Sequence, residues 1–152
     1  MKKYIYTYLI GVVFLVILTG SSVSFNPNQV IGKWKSANNK QIVNVYFDSS
    51  KSCYTGKVSW MAEDDPTKGT KLCDVKNPNP SLRNRRLTGI DLLYNFTFKG
   101  NRIYYGRVYD PISGKNYKCK ITLSKDSKTA YIRGYKIVPA LGRTEVSTRI
   151  AE

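Results

Sequence analysis

The sequence contains no histidine. That absence removes Ser-His and Cys-His nucleophile pairs and every histidine-ligated metal site. Acids are also scarce, with 10 Asp and Glu against 25 Lys and Arg, for a net charge of +15. Most of those acids, Asp48, Asp64, Asp65, Asp74 and Asp126, fall where turns need them. Asp91, Asp110 and Glu145 stand near expected strand ends, and none has an obvious mate for a paired-carboxylate glycosidase site. The run Glu63-Asp64-Asp65 lacks the ligand spacing of a calcium loop. No catalytic residue, cofactor or metal is expected, and an enzyme ranks behind a binding protein. Cysteine is limited to Cys53, Cys73 and Cys119, an odd count without the close spacing of a metal knuckle. Export would permit disulfides, and one bridge with one free thiol is then the simplest arrangement.

No segment has a convincing helical period, and long apolar runs are missing except at the start. Lys2 and Lys3 precede an apolar run at 4–18, followed by Thr19-Gly20-Ser21-Ser22-Val23-Ser24. A positive start, an apolar middle and small residues describe a secretory signal peptide. Ser22 and Ser24 suit the cleavage site, which makes 1–24 the signal segment, Phe25 the first mature residue and 25–152 one domain. The chain is then expected to be periplasmic or secreted. The alternative is an uncleaved membrane anchor, since 4–23 nearly reaches the length of a bilayer span.

What remains reads as short strands between turn residues. Period-two alternation bounded by Asp, Ser, Asn and Gly predicts strands at 30–36, 41–47, 54–61, 91–98, 102–109, 116–123, 129–135 and 144–150. The third is expected to place Tyr54, Gly56, Val58 and Trp60 on one face, and the fourth Leu92, Tyr94, Phe96 and Phe98. Gly100-Asn101 is the strongest hairpin signal. An irregular segment at 62–89, with prolines at Pro78 and Pro80, is long enough to be functional or to cover something. Eight strands joined mostly by short turns predict an all-β, eight-stranded antiparallel barrel, because closure removes exposed sheet edges. A β-sandwich is the alternative. By strand phase Cys119 should be buried and unreactive, while Cys53 should face outward, free to meet Cys73 from the loop.

Gly32-Lys33-Trp34 resembles the Gly-x-Trp pattern on the first strand of lipocalins and other calycins. In that superfamily the Trp plugs one barrel end and an Arg of the last strand packs across it, a part Arg149 is placed to play. Longer motifs follow in order: Gly56-Lys57-Val58-Ser59-Trp60, 77–85 with Asn77-Pro78, 109–119 with Asp110-Pro111 and Gly114, Arg133-Gly134-Tyr135, and Leu141-Gly142-Arg143-Thr144. Together they resemble the exported bacterial family known as domain of unknown function 2147, over nearly all of the expected mature chain, from about Ile31 to Arg149. The resemblance implies a small calycin-type barrel and no assigned activity. This chain departs from the family in having Asn79 for an acid, Arg86 for a proline, Ser147 for an aromatic, and Lys136-Ile137 for a small or apolar pair. The loss at 147 should open space near the last strand.

Arg83, Arg85 and Arg86 lie within four residues of a proline-held loop. Arg offers bidentate hydrogen bonds to carboxylate or phosphate, so Arg83 and Arg85 with Tyr109, Lys115 and Arg143 could form an anion-binding lid at a barrel mouth. The competing reading has these arginines pinned by carbonyls and acids such as Asp74, Asp91 or Asp110, with Arg86 at the surface. Asp110 with Pro111 and Gly114 is explained as a turn. Trp60, Tyr94, Phe96, Tyr105, Tyr109, Tyr117, Tyr131 and Tyr135 are expected to pack the core, and so many Tyr hydroxyls call for partners or a pocket. A non-catalytic barrel holding a small amphipathic or anionic ligand is the leading expectation. A ligandless protein whose basic surface meets anionic membrane or glycan is the second, and nucleic acid is not an expected partner of an exported chain.

Overall fold

The structure is a computed structural model that describes residues 24–64 and 66–151. All but the last residue of the expected signal segment lies outside these. Eight strands run β1 (Gly32–Ser36), β2 (Gln41–Asp48), β3 (Cys53–Met61), β4 (Asp91–Phe98), β5 (Ile103–Asp110), β6 (Lys115–Leu123), β7 (Thr129–Tyr135) and β8 (Arg143–Arg149). Each pairs antiparallel with the next, and β8 returns to pair with β1 through Trp34↔Arg149 and Ser36↔Ser147. The sheet is therefore a closed barrel rather than a sandwich, with no free edge between its strands.

Up-and-down connection sorts the turns into two ends. The β1–β2, β3–β4, β5–β6 and β7–β8 links lie at one end, here called the mouth. The β2–β3, β4–β5 and β6–β7 turns share the other end with a 3-10 turn, Pro27–Val30, that leads into β1. Inside, Val43, Val45, Val58, Phe96, Tyr104, Cys119, Ile121, Leu123 and Ala130 form a continuous buried core.

Register irregularities in β3 and β4 account for where simple alternation fails. Ile42 pairs with Trp60, but Val43 pairs with Val58, so Ser59 is an extra residue in β3. Every side chain beyond it changes face, and Trp60 is exposed instead of packing with Val58. On β4, Gly56 pairs with Leu93 while Lys57 pairs with Asp91, which leaves Leu92 and Leu93 both buried. A second irregularity follows between Tyr94 and Thr97, where Asn95 has a φ of 56°. Phe96 is buried and Tyr94 only partly so.

The aromatic expectation also needs correction on β5 and β7. Tyr104 pairs with the inward Ile121 and is fully buried, whereas Tyr105 and Tyr131 face out. Tyr hydroxyls inside do find partners. Tyr104 donates to the Pro27 carbonyl at 2.7 Å and Tyr54 to Asn28 Oδ1 at 2.9 Å, so both tie the N-terminal turn to the barrel.

All three cysteines are free thiols. Cys119 is fully buried as expected, and burial pushes its thiol up to about 12. Cys53 is out of phase with Tyr54, yet it is buried rather than available, because the bulged strand brings Asn95 Oδ1 within 3.9 Å of its sulfur. Cys73 donates instead to the Asn84 carbonyl within its own loop.

Candidate functional site

The closed end is built around Trp34. Its indole donates to the Val30 carbonyl at 2.9 Å, and the Arg149 guanidinium lies 4.3 Å from the ring centroid. Arg149 also donates from Nε to Ser127 O at 2.9 Å, from Nη1 to Ile31 O at 2.6 Å, and from Nη2 to Gln29 O. One cation thereby satisfies three carbonyls that arrive from two segments, the turn before β1 and the β6–β7 turn. Gly32 is required beneath it, since a Cβ there would sit 2.6 Å from Arg149 Nη1 on a backbone with φ 132°.

At the mouth, the long 62–89 segment packs as a clamp rather than an open loop. Cys73 and Arg86 form an isolated antiparallel bridge, and Leu87 N donates to Leu72 O at 2.9 Å. Asp74, fully buried, is its hub. One carboxylate oxygen accepts from Tyr109 Oη at 2.5 Å, and the other accepts from Asn77 Nδ2 at 2.7 Å and from Arg85 at 2.8 and 3.0 Å. Burial pushes the Asp74 carboxyl up, but these donors together hold it below the ordinary value. The same arrangement, burial first and Asp74 second, pushes the Tyr109 hydroxyl up to about 12. Asp64 is the second buried acid, held well below the usual carboxylate range by Arg86, which donates to it at 2.6 Å.

These contacts place the lid candidates. Arg83 Nε donates to the Asn77 carbonyl at 2.9 Å, and Arg85 is engaged by Asp74. Arg86, expected at the surface, is instead half-buried in the Asp64 ion pair. Asn79, in place of the family's acid, caps the 3-10 turn Pro80–Leu82 by accepting from Ser81 N. Asp110 holds its turn, accepting from Ile112 N and Ser113 Oγ, and Gly114 is needed because a Cβ would meet the Lys76 carbonyl at 1.9 Å. Lys115 pairs with Asp110 across the β5–β6 hairpin and is exposed. Arg133 braces the last mouth turn, donating to the Pro139 and Ala140 carbonyls and to Thr144 Oγ1. Gly142 packs on the Gly134 carbonyl, where a Cβ would approach to 2.5 Å.

Arg143 and Tyr109 line a mouth cavity of about 1010 Å³, with Leu87, Leu92, Val108 and Ile132 among its apolar walls. A second cavity of about 50 Å³ lies deeper and reaches Trp34 and Ile121. Gln41, Leu92, Val108, Ile132 and Glu145 line both, so the two adjoin. Ser147, where the family carries an aromatic, lines the inner one.

The walls of this space are unlike one another. Register puts Arg143, Glu145, Ser147 and Arg149 on the inward face of β8, opposite Gly134, Ile132, Ala130 and Trp34. With Ser36 and Gln41 they make a polar stripe from mouth to plug, facing Leu92, Leu93 and Val108. Among the described residues Glu145 and Arg143 form no ion pair, although Arg143 stands two residues away on the same face. Sequence reading missed this stripe. Its signal was available in Arg143-Thr-Glu-Val-Ser-Thr-Arg149, a strand with polar residues in both phases. Among the described residues no three Cys, Asp or Glu gather as a metal site.

A family model described as "Uncharacterized protein conserved in bacteria" (DUF2147) matches residues 32–149. Among solved structures the chain is similar to protein HP1028 from the human pathogen Helicobacter pylori, described as belonging to the lipocalin family. The TM-score is 0.68 at 20% identity, over 80% of this chain and 83% of that one. No curated protein matches. A lipocalin-like closed barrel, a Trp34–Arg149 plug and a family match spanning β1 to β8 agree, and the chain belongs to the uncharacterised bacterial family DUF2147.

Proposed function

We propose that this protein is a non-catalytic binder of a small amphipathic ligand, taken in at the barrel mouth. The observation that carries the reading is the two-sided cavity, polar along β8 and apolar along β4 and β5. Pockets of several hundred Å³ with mostly apolar walls and a few placed polar groups are where small ligands bind. The apolar body would lie against Leu92, Val108 and Ile132. An anionic group would stay at the rim beside Arg143 and Lys136, and hydroxyl or amide donors would meet Glu145 and Ser147. Arg83 and Arg85 enter this reading through the clamp that shapes the rim, and Tyr109 through both the clamp and the cavity wall.

The N-terminal segment supports action after export, with the chain beginning near Phe25. Edman sequencing of protein recovered from the envelope or medium tests that part, and an intact Met1 on membrane-bound protein would overturn it. For the ligand, titration with the anionic amphipathic dye anilinonaphthalene sulfonate should show saturable binding at one site. Ser147→Trp should abolish it by filling the inner cavity. Binding unaffected by Ser147→Trp and by Arg143→Gln would sink the assignment. Native mass spectrometry of the same envelope protein would show a retained ligand as added mass.

A further inference from the structure

The most exposed large apolar side chains of the described residues are Ile112 at 87%, Leu141 at 80%, Ile137 at 75% and Val75 at 61%. All four belong to mouth links, and the first three line the mouth cavity together. Val75 precedes Lys76, whose carbonyl packs under the Gly114 turn that presents Ile112. Among the described residues the most exposed large apolar side chain at the closed end is Phe47, at 45%.

Turns that only reverse the chain favour Gly, Asn, Asp and Ser at their tips. Here the tips are apolar and their backbones are braced. Asp110 fixes the turn beneath Ile112, and Arg133 grips the carbonyls of Pro139 and Ala140 beside Leu141. Ile137 and Leu141 are thus held outward in water by a rigid frame. That geometry is costly for a free monomer and suits a surface that receives the tips.

The charge around the tips identifies that surface. Lys71, Lys76, Lys115, Lys136 and Arg143 are exposed and form no ion pair among the described residues. Among the described residues, four acids of this end are already engaged, Glu63 by Lys40, Asp64 by Arg86, Asp74 by Arg85 and Asp110 within its turn, while Asp91 at the start of β4 is exposed. Glu145 is exposed and lines both cavities, so the named cations still outnumber the unengaged acids. An apolar centre within a cationic collar is complementary to a bilayer with anionic headgroups, where apolar tips reach the acyl boundary and lysines meet phosphates. A polyanionic glycan would use the lysines and leave the isoleucines and leucine in water.

We propose that the mouth end docks on an anionic phospholipid bilayer through Val75, Ile112, Ile137 and Leu141, with Lys76, Lys115, Lys136 and Arg143 as the collar. The cavity then opens toward the lipid, and the chain enters the barrel at the opposite end. Docking shares Lys136 and Arg143 with the ligand reading, but it rests on the apolar tips and on Lys76 and Lys115, which line neither cavity.

The test is co-sedimentation of the full chain with vesicles of phosphatidylcholine alone or mixed with phosphatidylglycerol, at low and high salt. Binding should require phosphatidylglycerol and weaken with salt. I137D/L141D should lower the partition coefficient by about tenfold or more, since it removes two apolar tips and adds repulsion, and its melting temperature should stay at that of the parent. K71Q/K76Q, at lysines that line neither cavity, should weaken binding to the mixed vesicles and leave dye binding in the cavity unchanged. Wild-type protein that stays in the supernatant overturns the proposal. So does an I137D/L141D variant that binds like the parent, which would assign binding to charge alone or to the N-terminal segment. Self-association that I137D/L141D abolishes, without vesicle binding, would reassign the patch to a second copy of the chain.

Discussion

The two ends of this barrel solve opposite problems with the same residue types. At the closed end one arginine, Arg149, gives its donors to three carbonyls and its face to Trp34, and Tyr54 and Tyr104 fasten the N-terminal turn over the remaining gap. At the mouth Arg143 occupies the same face of the same strand, yet among the described residues it has no ion-pair partner, and it lines open space. Six residues along β8 separate a half-buried structural cation from an available one. The difference lies in what approaches from other segments. Carbonyls from 29, 31 and 127 converge on Arg149, while the clamp around Asp74 and Asp64 stays on its own side of the rim.

The largest expected effect comes from breaking the closed end. Arg149→Ala uncovers Trp34 and strands three carbonyls, at a cost of about 4 kcal/mol. Urea unfolding measures it, and a loss below about 1 kcal/mol would mean the plug is dispensable. Asp74→Ala at the mouth should cost somewhat less, about 3 kcal/mol, because Arg85 can turn to water once its partner is gone. It should also reshape the rim and weaken dye binding, which Arg149→Ala should not do directly.

A pH series sharpens the comparison. Tyr104 at one end and Tyr109 at the other both have hydroxyls raised from 10.0 to about 12, chiefly by burial. A raised value means the unfolded chain loses these protons first. Stability is therefore fully present below pH 10 and falls as pH rises toward 12. Urea midpoints should drop across that window, and Tyr104→Phe and Tyr109→Phe should each flatten the drop. Curves from both variants that overlay the parent would remove these groups from the account. The smallest effect on stability belongs to Arg143→Gln, which should stay within about 0.5 kcal/mol of the parent while dye affinity falls several-fold. A large loss of stability there would make Arg143 a second structural cation and erase the contrast.

Much of this molecule was determined by local chemistry and is legible in the chain. Alternation bounded by turn residues located all eight strands to within two residues at their ends, and closure followed from the cost of free edges. Gly32, Trp34 and Arg149 identified the plug through their resemblance to the calycin pattern. Asp110-Pro111 and Gly114 were readable as a turn because Asp accepts backbone N–H bonds, Pro fixes φ and Gly supplies a positive φ. What only the tertiary structure decided was phase and partnership. A single extra residue at Ser59 turned Trp60 outward, and the irregularities of β4 buried Leu92 beside Leu93. Tyr104 and Tyr105 are indistinguishable by type, and only the register with Ile121 chose between them. Asp64 and Asp74 looked like turn acids, and became buried hubs because the folded clamp brought Arg86 and Arg85 to them across 22 and 11 residues of sequence. The polar stripe of β8 likewise exists only once a closed barrel sets one face of that strand against a cavity. Period and turn chemistry act over a few residues, whereas bulges, ion-pair partners and cavity walls depend on which distant segments arrive.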